Sequence, residues 1–362
     1  MNKIYINGRF LTQGTTGVQR YAIEVVKQLD DFIDNGEIDP DAFHFTLVAP
    51  KELRYELPLK HIKLKKVGRL RGHLWEQLEL PFHCGGGLLV NLCNTGPLLK
   101  VPQIVTLHDA SVFVNKHFFS TAFRLWYKVL FTILGKVAKR IITVSQFSKD
   151  ELVRYCKIHG DKIHVTHLGK EHLHKLPADS SVFQKHQFGE KPYLLAVSSL
   201  NPNKNFKAIL TAIQNLDTRE FDVVIAGGTN LKVFADAELS VPDNVIQLGY
   251  VSDEELKALY ERAACFVFPS FYEGFGIPPI EAMSFGCPVI VSNTASLPEV
   301  CGDAVIYCDP NDPALLGELI KKLMSDRQLR DGLVQKSLQR AGMYSWEKCT
   351  RLTYSILQEV VS

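Results

Sequence analysis

The feature that most constrains this chain is an alternation of short β-branched segments with longer amphipathic ones along its whole length. Short apolar runs predict strands that are buried on both faces, and a 3.6-residue period predicts the helices between them. Strands that alternate with helices in this way are typical of parallel sheets covered by helices. The chain is therefore predicted to be an α/β protein.

The predicted strands fall into two series, and each series is long enough to form its own sheet. The first series is 3–6, 43–48, 62–65, 88–92, 104–107, 140–144 and 163–167. The second series is 193–197, 222–226, 245–248, 265–268, 289–291 and 305–307. Helical patterns lie between most of them, among them 18–29, 206–216, 253–262 and 313–340. In a chain of 362 residues, two such series predict two doubly wound, Rossmann-like domains that face each other across a cleft.

The predicted boundary between the domains is 169–190, a polar segment that contains Pro177 and has no clear period. Residues 1–168 then form the N-terminal domain, and residues 191–344 form the C-terminal domain. Ser345 is a good N-cap for a closing amphipathic helix within 345–362. We expect this helix to cross back onto the N-terminal domain.

The composition, with 46% hydrophobic and 22% charged residues, is that of an ordinary globular protein. Its apolar runs are too short to span a bilayer, and the first residues lack the apolar core of a signal peptide. The eight cysteines form no CxxC pair, which favours reduced thiols. These features together predict a cytoplasmic protein.

The net charge of +2 hides an asymmetry, because residues 1–180 are basic and the remainder is acidic. The basic residues are concentrated in 51–71, and a second basic and aromatic stretch covers 116–140. One interpretation is a patch that meets anionic lipid at a membrane surface. The other is a solvated face beside a buried aromatic helix side. No nucleic-acid-binding motif accompanies the charge, so no nucleic-acid partner is expected.

In open α/β sheets ligands bind beyond the carboxyl ends of the strands, so the residues after each strand form the candidate site. Gly17 closes the GTTG turn after the first strand, where a helix N-terminus favours an anion, although a plain glycine turn has the same sequence. His108 follows the fifth strand, where it can hydrogen-bond a hydroxyl group, with Asp109 as the candidate that orients it. A buried structural histidine is the alternative.

In the second series, Lys204 stands at the start of a predicted helix, where a cation opposes the helix dipole at a cost of about 0.3–1 kcal/mol. That cost is explained if an anion such as a diphosphate binds there, and a solvated lysine is the alternative. Gly227 belongs to a glycine pair that lets a ligand approach the backbone. Val251 ends another strand before Ser252, the predicted cap of the next helix, and the backbone there is suited to a planar base.

The segment PSFYEGFGIPPIE (269–281) holds two acids, Glu273 and Glu281, eight positions apart. Its two prolines suit the first turn of a helix, and its glycines free the amides of Phe275 and Gly276 to donate. An acid on either side of an anion-favouring helix start suits a ligand with two sugars joined by a diphosphate. The predicted ligand is therefore a nucleotide sugar.

A metal site is not predicted. Asp39-Pro-Asp41 lies in a loop before a strand rather than after one, and the five histidines of 159–174 are irregularly spaced. No cysteine or carboxylate ligand set accompanies them. No cofactor is expected besides the nucleotide-sugar substrate.

Several motifs together resemble those of the family-4 retaining glycosyltransferases with the GT-B fold. The E-x7-E signature lies in PSFYEGFGIPPIEAMSFGCPVIVSN. The other matching motifs, in chain order around it, are TGVQRY, TLHDAS, VSQFSKDEL, PNKN, LGYVSDEEL and SLPEVCGDA. The match covers nearly the whole chain and keeps the order of the motifs. The resemblance implies an acceptor-binding N-terminal domain and a donor-binding C-terminal domain.

The resemblance also implies roles for particular residues. Glu273 would bind hydroxyl groups of the donor sugar, Glu281 would bind the ribose, and Lys204 would hold the diphosphate. His108 would contact the transferred sugar, and Gly17 would approach the diphosphate. The expected catalytic residues are His108, Lys204 and Glu273. The expected donor-binding residues are Gly17, Ser198, Asn203, Gly227, Val251, Gly274, Phe275, Gly276, Ile277 and Glu281.

One departure from the family pattern concerns the diphosphate. Many members carry an arginine at the positions that Ser198 and Asn203 occupy here. Neutralisation of the diphosphate then depends more on Lys204 and on helix N-termini.

The expected activity is metal-independent transfer of a hexose, with retention, to a lipid-linked surface glycan of the bacterial O-antigen type. GDP-mannose is the first expectation for the donor and a UDP-hexose the second. Alternatives are a nucleotide-sugar epimerase of similar fold and a non-catalytic sugar-nucleotide-binding protein. A nicotinamide dehydrogenase is disfavoured, because the first loop lacks GxGxxG.

Overall fold

The computed structural model describes residues 2–100, 102–114, 119–197, 201–214, 216, 220–228 and 244–361. The chain forms two compact units. The first unit is Met1–Gly169 together with Trp346–Ser362, and the second unit is Lys170–Ser345. Each unit is built on its own parallel β-sheet, as the alternation of strands and helices predicts.

The first unit has a seven-stranded sheet in which neighbouring strands are parallel. The strands are β1 (Asn2–Asn7), β2 (Phe43–Ala49), β3 (Lys63–Lys66), β4 (Leu88–Asn91), β5 (Gln103–Thr106), β6 (Arg140–Thr143) and β7 (Ile163–Val165). Their order is β3-β2-β1-β4-β5-β6-β7, so the strand order reverses between β1 and β4. The loops after these two strands diverge, which creates a crevice for functional side chains.

The helices of the first unit bury their apolar faces against this sheet and against each other. They are Gly17–Asp34, Gly72–Leu78, Leu80–His83, Ser111–Val114, Thr121–Val137, Gln146–Cys156 and Trp346–Val361. The closing helix Trp346–Val361 packs against Gly17–Asp34. The ring centroids of Tyr21 and Trp346 lie 6.5 Å apart at this contact, so burial of aromatic surface holds the last helix on the first unit.

The second unit has a six-stranded sheet, also with parallel neighbours. The strands are β8 (Tyr193–Val197), β9 (Asp222–Ala226), β10 (Val245–Gly249), β11 (Cys265–Phe268), β12 (Val289–Ser292) and β13 (Ile306–Cys308). Their order is β10-β9-β8-β11-β12-β13, with the reversal between β8 and β11. The described helices are Ser181–Lys185, Phe206–Gln214, Asp253–Arg262, Ile277–Ser284, Leu297–Cys301, Pro313–Ser325 and Arg327–Ala341.

Most predicted elements agree with the structure, and each predicted strand agrees to within two residues at either end. The predicted helix 313–340 is two helices, because Asp326 adopts an extended conformation between them. The Asp326 carboxylate accepts a hydrogen bond of 2.9 Å from the amide of Leu329. Aspartate is a strong N-cap, so this interaction ends one helix and starts the next.

The segment 169–190, predicted as a linker, is packed into the second unit from Lys170 onward. It contains the helix Ser181–Lys185, and the side chains of Val182 and Phe183 are buried. The ring of Phe183 packs against Phe188, with 5.2 Å between centroids. The prediction overlooked these apolar residues because the polar residues around them hide the pattern.

Candidate active site

The centre of the candidate site lies where the strand order of the second unit reverses. Lys204 ends the short 3₁₀ turn Pro202–Lys204 after β8, and Glu273 lies in the loop after β11. The Lys204 Nζ atom is 2.7 Å from Glu273 Oε1 and 3.0 Å from Oε2. The two side chains are only 21% and 12% exposed. The structure therefore brings two predicted residues, 69 positions apart, into one ion pair that solvent still reaches.

Hydrogen bonds fix the turn that carries Lys204. The Asn201 side chain accepts a 3.0 Å hydrogen bond from the Asn203 amide. Asn205 is left-handed, with φ 56°, and its side chain donates to the carbonyls of Pro269 (3.1 Å) and Pro310 (2.8 Å). Asparagine tolerates this backbone conformation better than most residues. The PNKN motif is thus a rigid turn that points Lys204 toward the loop after β11.

Asn203, predicted to bind donor, joins this turn to the loop of Glu273. Its side-chain amide donates to the carbonyl of Tyr272 at 2.6 Å, and its own carbonyl accepts from the amide of Phe271 at 2.9 Å. The family position that often holds arginine is therefore used here to connect two loops. Ser198, the other departure from the family pattern, lies outside the described residues.

The Glu273 carboxylate is held from more than one side. The Ser270 hydroxyl donates to Oε1 of Glu273, and the Ser296 hydroxyl donates to the Glu273 carbonyl at 2.9 Å. The ammonium group of Lys204 also lies 5.3 Å from the centroid of the Phe268 ring, a distance at which a cation is attracted to an aromatic face. Each charge of the pair thus has a supporting contact besides its partner, the Ser270 hydroxyl for Glu273 and the Phe268 ring for Lys204.

The EGFG turn starts the helix Ile277–Ser284. Gly276 has φ 99°, and a β-carbon there would lie 2.7 Å from Leu297 Cδ2. Only glycine therefore fits this position without strain. The side chains of Phe275 and Ile277 are buried, and the Phe275 ring meets Tyr344 edge-on at 5.4 Å. All four predicted residues of 274–277 are buried. Their main-chain atoms, rather than their side chains, are therefore suited to bind a ligand.

Glu281 is buried and is held by two partners that sequence analysis missed. His172 Nε2 lies 2.9 Å from Glu281 Oε1, and the Tyr260 hydroxyl donates to Oε2 at 3.0 Å. Burial and the charge of Glu281 raise the pKa of Tyr260 well above its usual value, so this hydroxyl keeps its proton. His172 was one of five irregularly spaced histidines, and no local pattern distinguished it from the others.

Gly227 and Val251 lie in two loops that are joined through the main chain. The Gly227 amide donates to the carbonyl of Gly249 at 2.6 Å, and both glycines have positive φ angles, 99° and 69°. The amide of Gly227 therefore stabilises the loops. Val251 is half-buried, and the predicted cap Ser252 accepts a hydrogen bond of 3.1 Å from the amide of Glu255.

His108 belongs to the first unit and is buried beside the start of the helix Gly17–Asp34. Its Nε2 atom is 3.0 Å from the carbonyl of Leu92, so Nε2 carries the proton and donates it. Burial lowers the pKa of His108, which favours the neutral ring. A neutral imidazole with its proton on Nε2 has its lone pair on Nδ1, which makes Nδ1 an acceptor.

Tyr21, rather than Asp109, contacts the His108 ring. The Tyr21 ring meets the imidazole edge-on at 4.9 Å and 89°. The sequence suggested that Asp109 orients His108. The Asp109 carboxylate instead accepts a hydrogen bond of 2.8 Å from the Ser111 amide. Gly17 is the exposed first residue of the helix that carries Tyr21. This helix therefore begins with one predicted residue of the first unit and contacts the other through Tyr21.

A buried polar network lies at the strand reversal of the first unit and was missed by sequence analysis. Glu76 is fully buried, and its Oε1 atom accepts from Arg9 Nε (3.1 Å), Asn7 Nδ2 (2.8 Å) and Thr95 Oγ1 (2.8 Å). Burial alone would raise the pKa of Glu76, but the hydrogen bond from His73 and the charge of Arg9 outweigh it and lower that pKa. Glu76 is therefore a buried carboxylate in its ionised form.

Comparison with known proteins assigns the chain. Residues 81–170 match the model described as Glycosyltransferase Family 4, and residues 179–340 match Glycosyl transferases group 1. The "O-antigen chain mannosyltransferase B" of Escherichia coli is 37% identical, over 93% of this chain and 94% of its own length. The "O-antigen chain mannosyltransferase RfbU" of Salmonella typhimurium is 28% identical, over 91% and 92%.

The chain belongs to family 4 of the glycosyltransferases. The solved structure of Anabaena Alr3699/HepE in complex with UDP and glucose matches with a TM-score of 0.77 and 16% identity, over 99% of each chain. The predicted GT-B architecture of two Rossmann-like domains is confirmed, and so is the prediction of a hexosyltransferase.

Two further features of this glycosyltransferase concern metals and membranes. Within the described residues, histidine, cysteine and acidic side chains nowhere gather into a group of three that could ligate a metal. In the same part of the chain, no helix has the length and hydropathy needed to cross a bilayer.

Proposed function

We propose that this glycosyltransferase transfers a hexose from a nucleoside-diphosphate sugar to a hydroxyl group of a growing, lipid-linked surface glycan. The transfer retains the anomeric configuration and uses no metal. The observation that carries the proposal is the solvent-accessible ion pair of Lys204 and Glu273 at the strand reversal of the second unit. Ligands of doubly wound sheets bind at such reversals.

Lys204 is proposed to neutralise the diphosphate. Its ammonium has three protons to donate, and a phosphate oxygen competes with the Glu273 carboxylate for them. Glu273 then becomes free to accept hydrogen bonds from hydroxyl groups of the transferred sugar. The exchange requires no unfolding, because Ser270 and Ser296 still hold the loop of Glu273.

Glu281 is proposed to bind the ribose hydroxyl groups. Each carboxylate oxygen has two lone pairs, so Glu281 can accept further hydrogen bonds beyond those of His172 and Tyr260. These two partners act as positioning residues that hold the carboxylate in one orientation. Main-chain atoms of Gly227, Val251, Gly274 and Ile277 complete the proposed donor site.

In the first unit, His108 and Gly17 are proposed to bind the donor. The neutral ring of His108 offers Nδ1 as an acceptor for a hydroxyl group of the transferred sugar. Gly17 offers an exposed helix N-terminus, whose amide groups favour an oxygen of the diphosphate.

The proposed reaction breaks the bond between the anomeric carbon and the diphosphate oxygen, and the bonding electrons leave with the diphosphate. The acceptor oxygen then bonds to the anomeric carbon on the same face, and its proton passes to the departing phosphate. Lys204 and the helix start at Ile277 stabilise the charge that develops on the leaving group.

GDP-mannose is proposed as the donor and a UDP-hexose as the second candidate. The names of the two bacterial relatives, both O-antigen chain mannosyltransferases, support mannose. The solved structure of Anabaena Alr3699/HepE in complex with UDP and glucose supports a UDP-hexose as the second candidate. The O-antigen relatives also support a surface glycan as the acceptor.

The enzyme is further proposed to work at the cytoplasmic face of a membrane. Helices of its first unit expose large apolar side chains, among them Leu74, Leu78 and Phe82. These side chains follow the basic residues of 51–71 closely in sequence. Apolar contact together with basic charge is what attracts a peripheral protein to anionic lipid. The protein should pellet with vesicles that contain anionic lipid and should stay in the supernatant with vesicles of neutral lipid.

The test of the proposed function is transfer measured with GDP-mannose and UDP-glucose. Lys204→Ala should slow transfer by about 100- to 1,000-fold, whereas Lys207→Ala, which removes an exposed lysine three residues later, should not. Normal transfer by Lys204→Ala would contradict the proposal. Conversion of the sugar nucleotide without an acceptor would instead indicate an epimerase, and donor binding without transfer or hydrolysis would indicate a non-catalytic protein.

A further inference from the structure

The first unit contains a cavity whose lining residues are not among the donor-site residues proposed above. Its volume is about 620 Å³, and it is lined by Thr12, Pro50–Arg54 and Gly68–Gly72. These three segments follow β1, β2 and β3, so the cavity lies at the carboxyl edge of the sheet. This volume is within the range of about 300–1,000 Å³ that is usual for ligand pockets.

The charged side chains of this cavity are mostly basic. Its cations are Lys51, Arg54, Arg69 and Arg71, and its one acid is Glu52. Arg71 Nη2 donates to both oxygens of Glu52, at 2.6 Å and 2.5 Å, so these two charges satisfy each other. Within the described part of the chain, no carboxylate forms an ion pair with the side-chain cation of Lys51, Arg54 or Arg69.

The loop that carries Arg69 is held in place by neighbouring helices. Gly68 has φ 83°, and the carboxylate of Glu79 accepts hydrogen bonds from the amides of Arg69 (2.9 Å) and Leu70 (2.9 Å). Trp75 Nε1 donates to the carbonyl of Val67 at 3.0 Å. Because the turn is fixed in this way, the Arg69 side chain starts from a defined position at the cavity.

The loop that carries Arg54 is fixed as well. Its amide donates to the carbonyl of Leu11 at 2.9 Å, and the guanidinium lies so close to Gly14 that a β-carbon there would be 3.1 Å from Arg54 Nη1. The glycine of the GTTG turn thus makes room for this arginine. Both basic loops are pre-organised, which reduces the entropy cost of binding an anion.

We propose that this cavity binds a phosphate or diphosphate group of the acceptor. Guanidinium groups match phosphate oxygens in pairs, and three cations without carboxylate partners suit a multiply charged group. The cavity is larger than a phosphate needs, so part of the attached molecule also fits. The assignment to the acceptor rests on the proposed function, whereas the anion site itself does not.

The first test measures binding of inorganic diphosphate by calorimetry to the full-length protein carrying Lys204→Ala, which removes the proposed donor contact. The double variant Lys51→Gln/Arg69→Gln should weaken binding about tenfold, since charge-assisted hydrogen bonds are lost. The matched control Lys63→Gln/Lys65→Gln removes two exposed cations of β3 outside the cavity and should change the affinity little. Equal affinity of the two double variants would overturn the proposal.

The second test uses transfer kinetics with Lys204 intact. The Lys51→Gln/Arg69→Gln variant should raise the KM for a phosphorylated acceptor about tenfold and leave the KM for the donor unchanged. The KM is measured for two acceptors, a lipid-linked diphosphate and a water-soluble sugar phosphate. The acceptor whose KM rises in the variant is the one that carries the bound phosphate group. An unchanged KM for both would refute the acceptor assignment, while the Lys204→Ala result still tests the proposed function separately.

Discussion

The strand reversals of the two units each hold an ion pair, and the pairs differ in what surrounds them. Glu76 in the first unit is fully buried, and three side chains besides Arg9 hydrogen-bond its carboxylate. Lys204 and Glu273 in the second unit remain 21% and 12% exposed. A buried pair whose hydrogen bonds are all made within the protein stabilises one conformation, whereas an accessible pair can exchange a partner for a ligand. The comparison predicts that the first pair matters for stability and the second for turnover.

The largest expected effect is on the buried pair. Arg9→Met leaves the Glu76 charge buried without its cation, and the free energy of unfolding should fall by about 3–5 kcal/mol. Chemical denaturation followed by fluorescence measures this change. The matched control is Lys336→Met, which breaks an exposed pair with Asp303 and should have little effect. A similar stability for both variants would show that the buried network is not a structural element.

The next effect concerns the accessible pair. Lys204→Ala should lower kcat by about 100- to 1,000-fold, which corresponds to about 2.7–4 kcal/mol of transition-state stabilisation. Its unfolding midpoint should stay close to that of the unaltered protein, because the pair is accessible to solvent. A variant that loses stability but keeps its turnover would reverse the comparison.

A smaller effect is expected at Glu281. Tyr260→Phe removes one hydrogen bond to this carboxylate, and a hydrogen bond to a charged group contributes about 1.5–3 kcal/mol. The donor nucleotide should therefore bind more weakly, with kcat reduced less than in Lys204→Ala. Titration with nucleoside diphosphates measures the affinity, and Tyr250→Phe, at an exposed side chain, is the control. A loss of kcat with unchanged affinity would argue against the ribose role.

The smallest effect is the pH dependence from His108. Burial lowers its pKa in the folded protein below the usual value of about 6.5. A depressed folded pKa means that the unfolded state binds the proton more readily, so this contribution to stability is present above the unfolded pKa and is lost as the pH falls through the folded pKa. His108→Gln should flatten the pH dependence of the unfolding midpoint below pH ~6.5. An unchanged slope would show that another group is responsible.

Some residues of the candidate site could be proposed from the sequence, and others could not. Lys204 and Glu273 could be proposed because each follows a predicted strand, and Glu281 because it lies one turn into the helix that the glycines and prolines of 274–279 predict. Such positions are visible locally. His172 and Tyr260, which hold Glu281, were not found. Their distances along the chain from Glu281 are large, and a hydrogen bond between distant residues has no local pattern. The Asn203 role was also missed, because its partner Tyr272 is 69 residues away.

The sequence by itself determined the two parallel sheets, the ends of their strands and the residues that follow them, because apolar period and capping chemistry act over a few residues. Only the tertiary structure decided which of those residues meet. The order β10-β9-β8-β11 places the loops after β8 and β11 side by side, and this pairs Lys204 with Glu273. Strand order depends on packing across the whole unit, so contacts that it creates between distant segments cannot be deduced from either segment alone.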